Sequence, residues 1–117
     1  ESPFGVFESK IFSYKKQKIE EKKYTKWFDY DKIKDSPCVR TRRQGDYLTV
    51  NSEGGKKKLN RIFIDEKIPA EMRDRIPVVA AGSEILWIPG GRMNEKYKIT
   101  STTGRVLELH YQGGALA

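Results

Sequence analysis

Pro77-Val78-Val79-Ala80-Ala81-Gly82-Ser83-Glu84-Ile85-Leu86-Trp87-Ile88 decides the fold of this chain. Two short apolar runs meet at a Gly-Ser turn, the pattern of a β-hairpin. The runs are apolar throughout rather than alternating, so the hairpin needs cover on both faces and belongs in the middle of a sheet. Pro89-Gly90-Gly91 ends it. Upstream, Leu59, Ile62, Phe63 and Glu66 recur at i, i+3, i+4 and i+7, the apolar stripe of a helix. Lys57 and Arg61 stand four apart on its opposite face, and Lys56-Lys57-Lys58 open it. Pro69 suits the first position of a second helix, Ala70 to Arg75, with Met72 and Ile76 inward and Glu71 and Arg75 spaced for a weak surface pair. The stripe Leu59, Ile62 and Phe63 is expected to pack near Trp87.

The flanks read as strands. Phe4 to Tyr14 is aromatic-rich and imperfectly alternating, one or two strands in all. Lys15 to Lys26 is charged, with only Ile19 and Tyr24 as anchors, and reads as an exposed hairpin or loop. Trp27 to Ile33 resumes a strand, broken at Asp35-Ser36-Pro37. Cys38 to Arg43, Tyr47 to Val50, Lys96 to Ile99 and Val106 to Tyr111 complete the set. The class is α+β: about eight short, mostly antiparallel strands packed around two central helices. Residues 1–112 are expected to form one domain and 113–117 a frayed tail.

Composition narrows the function. The chain has 117 residues, 37% of them hydrophobic and 11% aromatic, enough for a core without staples. A single cysteine excludes a disulfide framework and a paired-cysteine zinc site, and points to a cytoplasmic rather than a secreted protein. No apolar run approaches the ~18 residues of a spanning helix, so no membrane partner is expected. The net charge of +7 is unevenly spread. Residues 8–34 carry nine basic and five acidic groups and residues 36–61 seven and two, whereas 62–98 carry six of each. A basic half on a folded domain suits a polyanion, nucleic acid first.

Catalytic motifs fail. Gly55-Lys56 lacks the earlier glycine and the following Ser/Thr of a phosphate-binding loop, and no serine elbow or Cys/His pair is present. His110 reads as structural and Cys38 as a small core residue. Asp29 and Asp31, two apart on one strand face, could hold magnesium, but Lys26, Lys32 and Lys34 suit simple neutralisation better. Asp65-Glu66, at the end of the basic helix, is better explained by pairing with Lys67 or Arg61 than by catalysis. The basic constellation says more. Strand alternation puts Arg40 and Arg42 on one face, with Arg43 leading into the Gly45 turn. Lys56, Lys57 and Lys58 then sit at a helix start, where an anion is favoured, with Arg61 one turn on. Together they make a phosphate grip. The alternative is a solvated lysine face.

Several segments, in order, resemble a known family. Phe28-Asp29-Tyr30-Asp31-Lys32-Ile33, Val39-Arg40-Thr41-Arg42-Arg43-Gln44-Gly45-Asp46 and Gly55-Lys56-Lys57-Lys58-Leu59 are similar to the C-terminal domain of bacterial tRNA(Ile)-lysidine synthetase, a lysidine-tRNA(Ile) ligase. So are Phe63 to Pro69, Arg73 to Pro77, Leu86 to Arg92 and Tyr97 to Thr100, a resemblance spanning about residues 27–109. Gln44 stands where the family more often has proline, and residues 1–26 add little. The resemblance implies a fold similar to a domain of the phenylalanyl-tRNA synthetase β chain, and a tRNA-binding role on the acceptor-stem side. Its partner would be the isoleucine tRNA with a CAU anticodon, whose wobble cytidine the parent enzyme converts to lysidine. ATP and magnesium would belong to a separate N-terminal domain, with none bound here, and a homodimer could form through the parent enzyme. The implied phosphate contacts are Arg40, Arg42, Arg43, Lys56, Lys57, Lys58, Arg61 and Arg92. Two other readings stand beside it: a complete small enzyme, and a basic module that docks on protein or binds RNA generally.

Overall fold

The central hairpin orders everything else in the computed structural model, which describes residues 5–19 and 22–113. The expected strand residue Phe4, Glu20 and Glu21 of the expected loop, and residues 114–117 of the expected tail lie outside the described residues. The strands are β1 (Gly5–Ser13), β2 (Thr25–Asp29), β3 (Cys38–Arg40), β4 (Tyr47–Thr49), β5 (Lys56–Lys58), β6 (Val78–Ala81), β7 (Glu84–Trp87) and β8 (Arg105–Gly113). Two α-helices, α1 (Leu59–Asp65) and α2 (Ala70–Arg73), and two 3-10 turns, Tyr30–Lys32 and Glu95–Tyr97, complete the described chain.

β6 and β7 occupy the middle of a five-stranded sheet ordered β3-β6-β7-β4-β5, all antiparallel except β4 beside β7. A smaller sheet is ordered β1-β8-β2, with β8 paired antiparallel along the whole of β1. Both faces of the hairpin are covered, as its unbroken apolar composition requires. On one side Val79, Leu86 and Trp87 cluster with Phe28, Leu107, Leu109 and Tyr111 of the three-stranded sheet. On the other, Val78, Ala80 and Ile85 cluster with Leu59, Ile62 and Phe63 of α1. The layers are therefore sheet, sheet, helix.

A bulge explains one departure. Val79 pairs with Trp87 but Ala80 pairs with Ile85, leaving Leu86 as the extra residue. Leu86 and Trp87 consequently face the same cluster. Trp87 thus packs against Phe28, ring centroids 6.2 Å apart, on the side away from the α1 stripe expected beside it. Other boundaries also moved. β2 stops at Asp29 because the backbone curls into the Tyr30–Lys32 turn, closed by the Ile33 N–H on the Tyr30 carbonyl. Lys96 to Ile99 is not a strand: the buried Asn94 caps the Glu95–Tyr97 turn, its side chain accepting from the Lys96 N–H. α1 ends at Asp65, leaving Glu66 exposed, and α2 ends at Arg73, two residues short of expectation. Gly113, assigned to the tail, pairs with Gly5.

Trp87 is fully buried, and its indole N–H has no partner among the described residues, so its contribution is packing. Trp87→Ala is expected to cost ~3–5 kcal/mol, measured by denaturant unfolding; a loss below ~1 kcal/mol would show that the inter-sheet core does not depend on the indole.

Candidate nucleic-acid interface

The sequence Arg40-Thr41-Arg42-Arg43 divides its arginines between interior and surface. β3 ends at Arg40 rather than Arg43, because an edge strand of three residues gives way to the turn at Arg43–Asp46. Arg40 is buried and points into the fold. Its Nη1 and Nη2 donate to Asp46 Oδ2 and Oδ1, both at 2.8 Å, and further to the carbonyls of Thr41 (2.9 Å) and Gly82 (2.8 Å). The hydrogen bonds from Arg40 to Asp46 raise the guanidinium pKa further. Arg40 therefore leaves the set of phosphate contacts. The expectation that Arg40 and Arg42 share a strand face falls with it, since Arg42 lies past the strand end.

The lysine triplet is divided too. Lys56–Lys58 form β5, paired antiparallel with β4, and α1 begins only at Leu59. The Leu59 N–H is already taken by the Asp46 carbonyl at 2.9 Å, so the expected anion grip at a helix start is replaced by a strand. Strand alternation sends Lys57 to one face and Lys56 and Lys58 to the other. Lys57 pairs with Leu48, which faces α1, and its Nζ forms an ion pair with Asp65. Lys56 lies over the Tyr47 ring, 5.4 Å from its centroid.

On the helix side the cations gather. Asp65 also receives Arg61 Nε at 3.2 Å, and the charge of Arg92 reaches it as well. The hydrogen bond from Lys57 holds the Asp65 carboxyl below its ordinary range, helped by Lys57, Arg61 and Arg92 as charges. Arg42 flanks the same helix, its Nη1 donating to Asn60 Oδ1 (2.9 Å) and its Nε to Asp74 Oδ1 (2.8 Å). Arg42, Lys57, Arg61 and Arg92 thus border the outer side of α1, with Arg43 and Lys58 exposed nearby in the chain. Asn60 and Asp74, which orient Arg42, carried no signal in the sequence beyond being polar.

The acidic and nucleophilic candidates have structural partners. Asp29 is buried, accepting from Thr103 Oγ1 at 3.0 Å, whereas Asp31 is exposed in the 3-10 turn, so the two do not share a strand face. Asp31 receives Arg105 Nη2 at 2.6 Å, and that hydrogen bond keeps its carboxyl below the usual value. Among the described residues no three His, Cys, Asp or Glu side chains gather to hold a metal ion. His110 Nδ1 is 2.6 Å from Thr25 Oγ1. Cys38, expected in the core, is exposed, because it is the first residue of an edge strand.

Fold and surface together define a class: a sheet–sheet–helix α+β domain whose outer helix is ringed by arginine and lysine. Comparison with known proteins makes the assignment particular. A family model described as the TilS substrate C-terminal domain matches residues 38–109, and the chain belongs to that family. The chain is 51% identical over 88 residues to a tRNA(Ile)-lysidine synthase of Caldanaerobacter subterraneus subsp. tengcongensis, covering 75% of this chain and 19% of that protein. It is 38% identical over 110 residues to the tRNA(Ile)-lysidine synthase of Clostridium perfringens strain 13, covering 93% of this chain and 23% of that protein. A solved structure described as the crystal structure of TILS C-terminal domain superposes with a TM-score of 0.73 at 31% identity, covering 92% of this chain and 82% of that one. The chain spans about a fifth of the length of these curated relatives.

Arg40 and Asp46 form a buried pair, their side chains 9% and 2% exposed. Asp46→Ala strands the guanidinium and is expected to cost ~3–5 kcal/mol in denaturant unfolding. A cost below ~1 kcal/mol would show that water replaces the carboxylate.

Proposed function

We propose that this chain is the tRNA-binding C-terminal domain of an ATP-dependent tRNA(Ile)-lysidine synthase, with residues 1–112 as one domain and no chemistry of its own. It grips the acceptor-stem side of the isoleucine tRNA while a separate catalytic domain, holding ATP and magnesium, converts the wobble cytidine to lysidine in the cytoplasm. The observation that carries the reading is the convergence of Arg42, Lys57, Arg61 and Arg92 around α1 in a member of this family. Arginine forks and lysine ammonium groups supply sequence-independent phosphate contacts, which fix register on a duplex without reading bases. The salt bridges to Asp65 and Asp74 are surface pairs of little intrinsic strength, so exchange of a carboxylate for a phosphate is cheap.

With about five phosphate contacts the log–log salt dependence of tRNA binding has a slope on the order of −4. Arg42→Ala or Lys57→Ala is expected to weaken binding across different tRNAs and to flatten that slope by about one unit. Lys10→Ala is the control. It lies on the three-stranded sheet, the layer farthest from α1. Arg105 makes a poor control, since it is tied to Asp31 and stacks on Tyr30, 4.9 Å from the ring centroid. Anisotropy over a salt series reads all three; equal losses from Lys10→Ala and Lys57→Ala would reduce the basic half to a solvated surface.

The chain incubated with ATP, lysine and the tRNA transcript is expected to leave the cytidine unmodified. Lysidine in the nuclease digest would overturn the non-catalytic reading.

A further inference from the structure

Three lysines from distant parts of the sequence converge on the side of β5 opposite the α1 patch. Lys32 comes from the 3-10 turn after β2, Lys56 from β5, and Lys96 from the second 3-10 turn. They line one open concavity of about 520 Å³, together with Thr49, Thr100 and a single carboxylate, Glu95. Glu95 does not serve them, because Lys98 Nζ holds it at 2.8 Å. Lys32 lies 3.8 Å from Asp29 and Lys96 3.7 Å from Glu84, contacts too long for hydrogen bonds. Among the described residues Lys56 has an aromatic ring as its partner and no carboxylate. All three ammonium groups therefore keep donors for a further acceptor, and threonine side chains on the wall add more.

The lining holds three cations and one carboxylate, itself paired with Lys98. The ion pairs of Lys32 with Asp29 and of Lys96 with Glu84 offset the positive charge only in part. We infer that the concavity framed by Lys32, Lys56 and Lys96 is a phosphate-binding site, distinct from the α1 patch and separated from it by the thickness of β5. The phosphate group comes either from an RNA backbone, a source that rests on the function proposed above, or from a free phosphate compound. If the source is RNA, β5 contacts phosphates from both of its faces, Lys57 on one and Lys56 on the other.

The test titrates the chain with inorganic phosphate while amide shifts of Thr49, Asn51 and Thr100 are followed by NMR. The same chain is compared with a Lys32→Gln, Lys56→Gln, Lys96→Gln variant in tRNA binding over a salt series. For one phosphate at ~0.1 M salt the variant is expected to bind tRNA about eightfold more weakly, with a slope flatter by about one unit. Lys10→Gln should change neither. Weaker tRNA binding by the variant supports an RNA phosphate. Pocket shifts with inorganic phosphate, lost in the variant while tRNA binding is unchanged, support a free phosphate compound. Unchanged tRNA binding with no pocket shifts overturns the site. In that case Lys57→Ala still reports on the α1 patch, so the two readings fail separately.

Discussion

The bidentate pair between Arg40 and Asp46 ties together segments that secondary structure alone leaves unconnected. Arg40 ends β3, Asp46 ends the turn before β4, and the same guanidinium reaches the Gly82 carbonyl in the β6–β7 turn. The backbone of Asp46 extends the link: its carbonyl accepts from Leu59 at the start of α1. One buried ion pair thereby sets where β3, β4 and the helix sit against the central hairpin. An apolar pair of similar volume could fill the space, but it would not satisfy the Gly82 and Thr41 carbonyls.

That constraint also shapes the surface. With Arg40 turned inward, Arg42 is carried out past the strand end to Asn60 and Asp74. β5 then presents its lysines alternately, so one run of three identical residues serves two faces. The carboxylates among these cations, Asp65 and Asp74, lie on the surface with their partners, where solvent weakens each pair. Arg42, Lys57 and Arg61 are thus held in place by surface ion pairs rather than by burial.

The core shows the same economy of means. A single bulge at Leu86 turns two successive residues toward the smaller sheet, and Trp87 fills the space between the sheets. α1 covers the opposite face with only seven residues, three of them buried. The hairpin tolerates this division because its residues are apolar on both sides.

How much of this was legible beforehand follows from the range of each interaction. Composition and local pattern established the α+β class, the central hairpin, the apolar stripe of α1 and the basic character of the first half, because these depend on neighbours a few residues apart. The ordered segments around Arg40 to Asp46 and Leu86 to Arg92 carried the family. Local pattern did not distinguish Arg40 from Arg42: both are arginines two apart, and only the position of Asp46 and Gly82 in space turns one inward. It did not separate Lys56 from Lys57, since the triplet reads equally as a helix start or a strand until β4 pairs with it. Lys32 and Lys96 offered no sign of meeting Lys56, because their approach comes from packing the first 3-10 turn on β8 and the second on β4. Tertiary structure alone decided these points: burial, pairing register and long-range charge contacts join residues dozens of positions apart, beyond the reach of any local pattern.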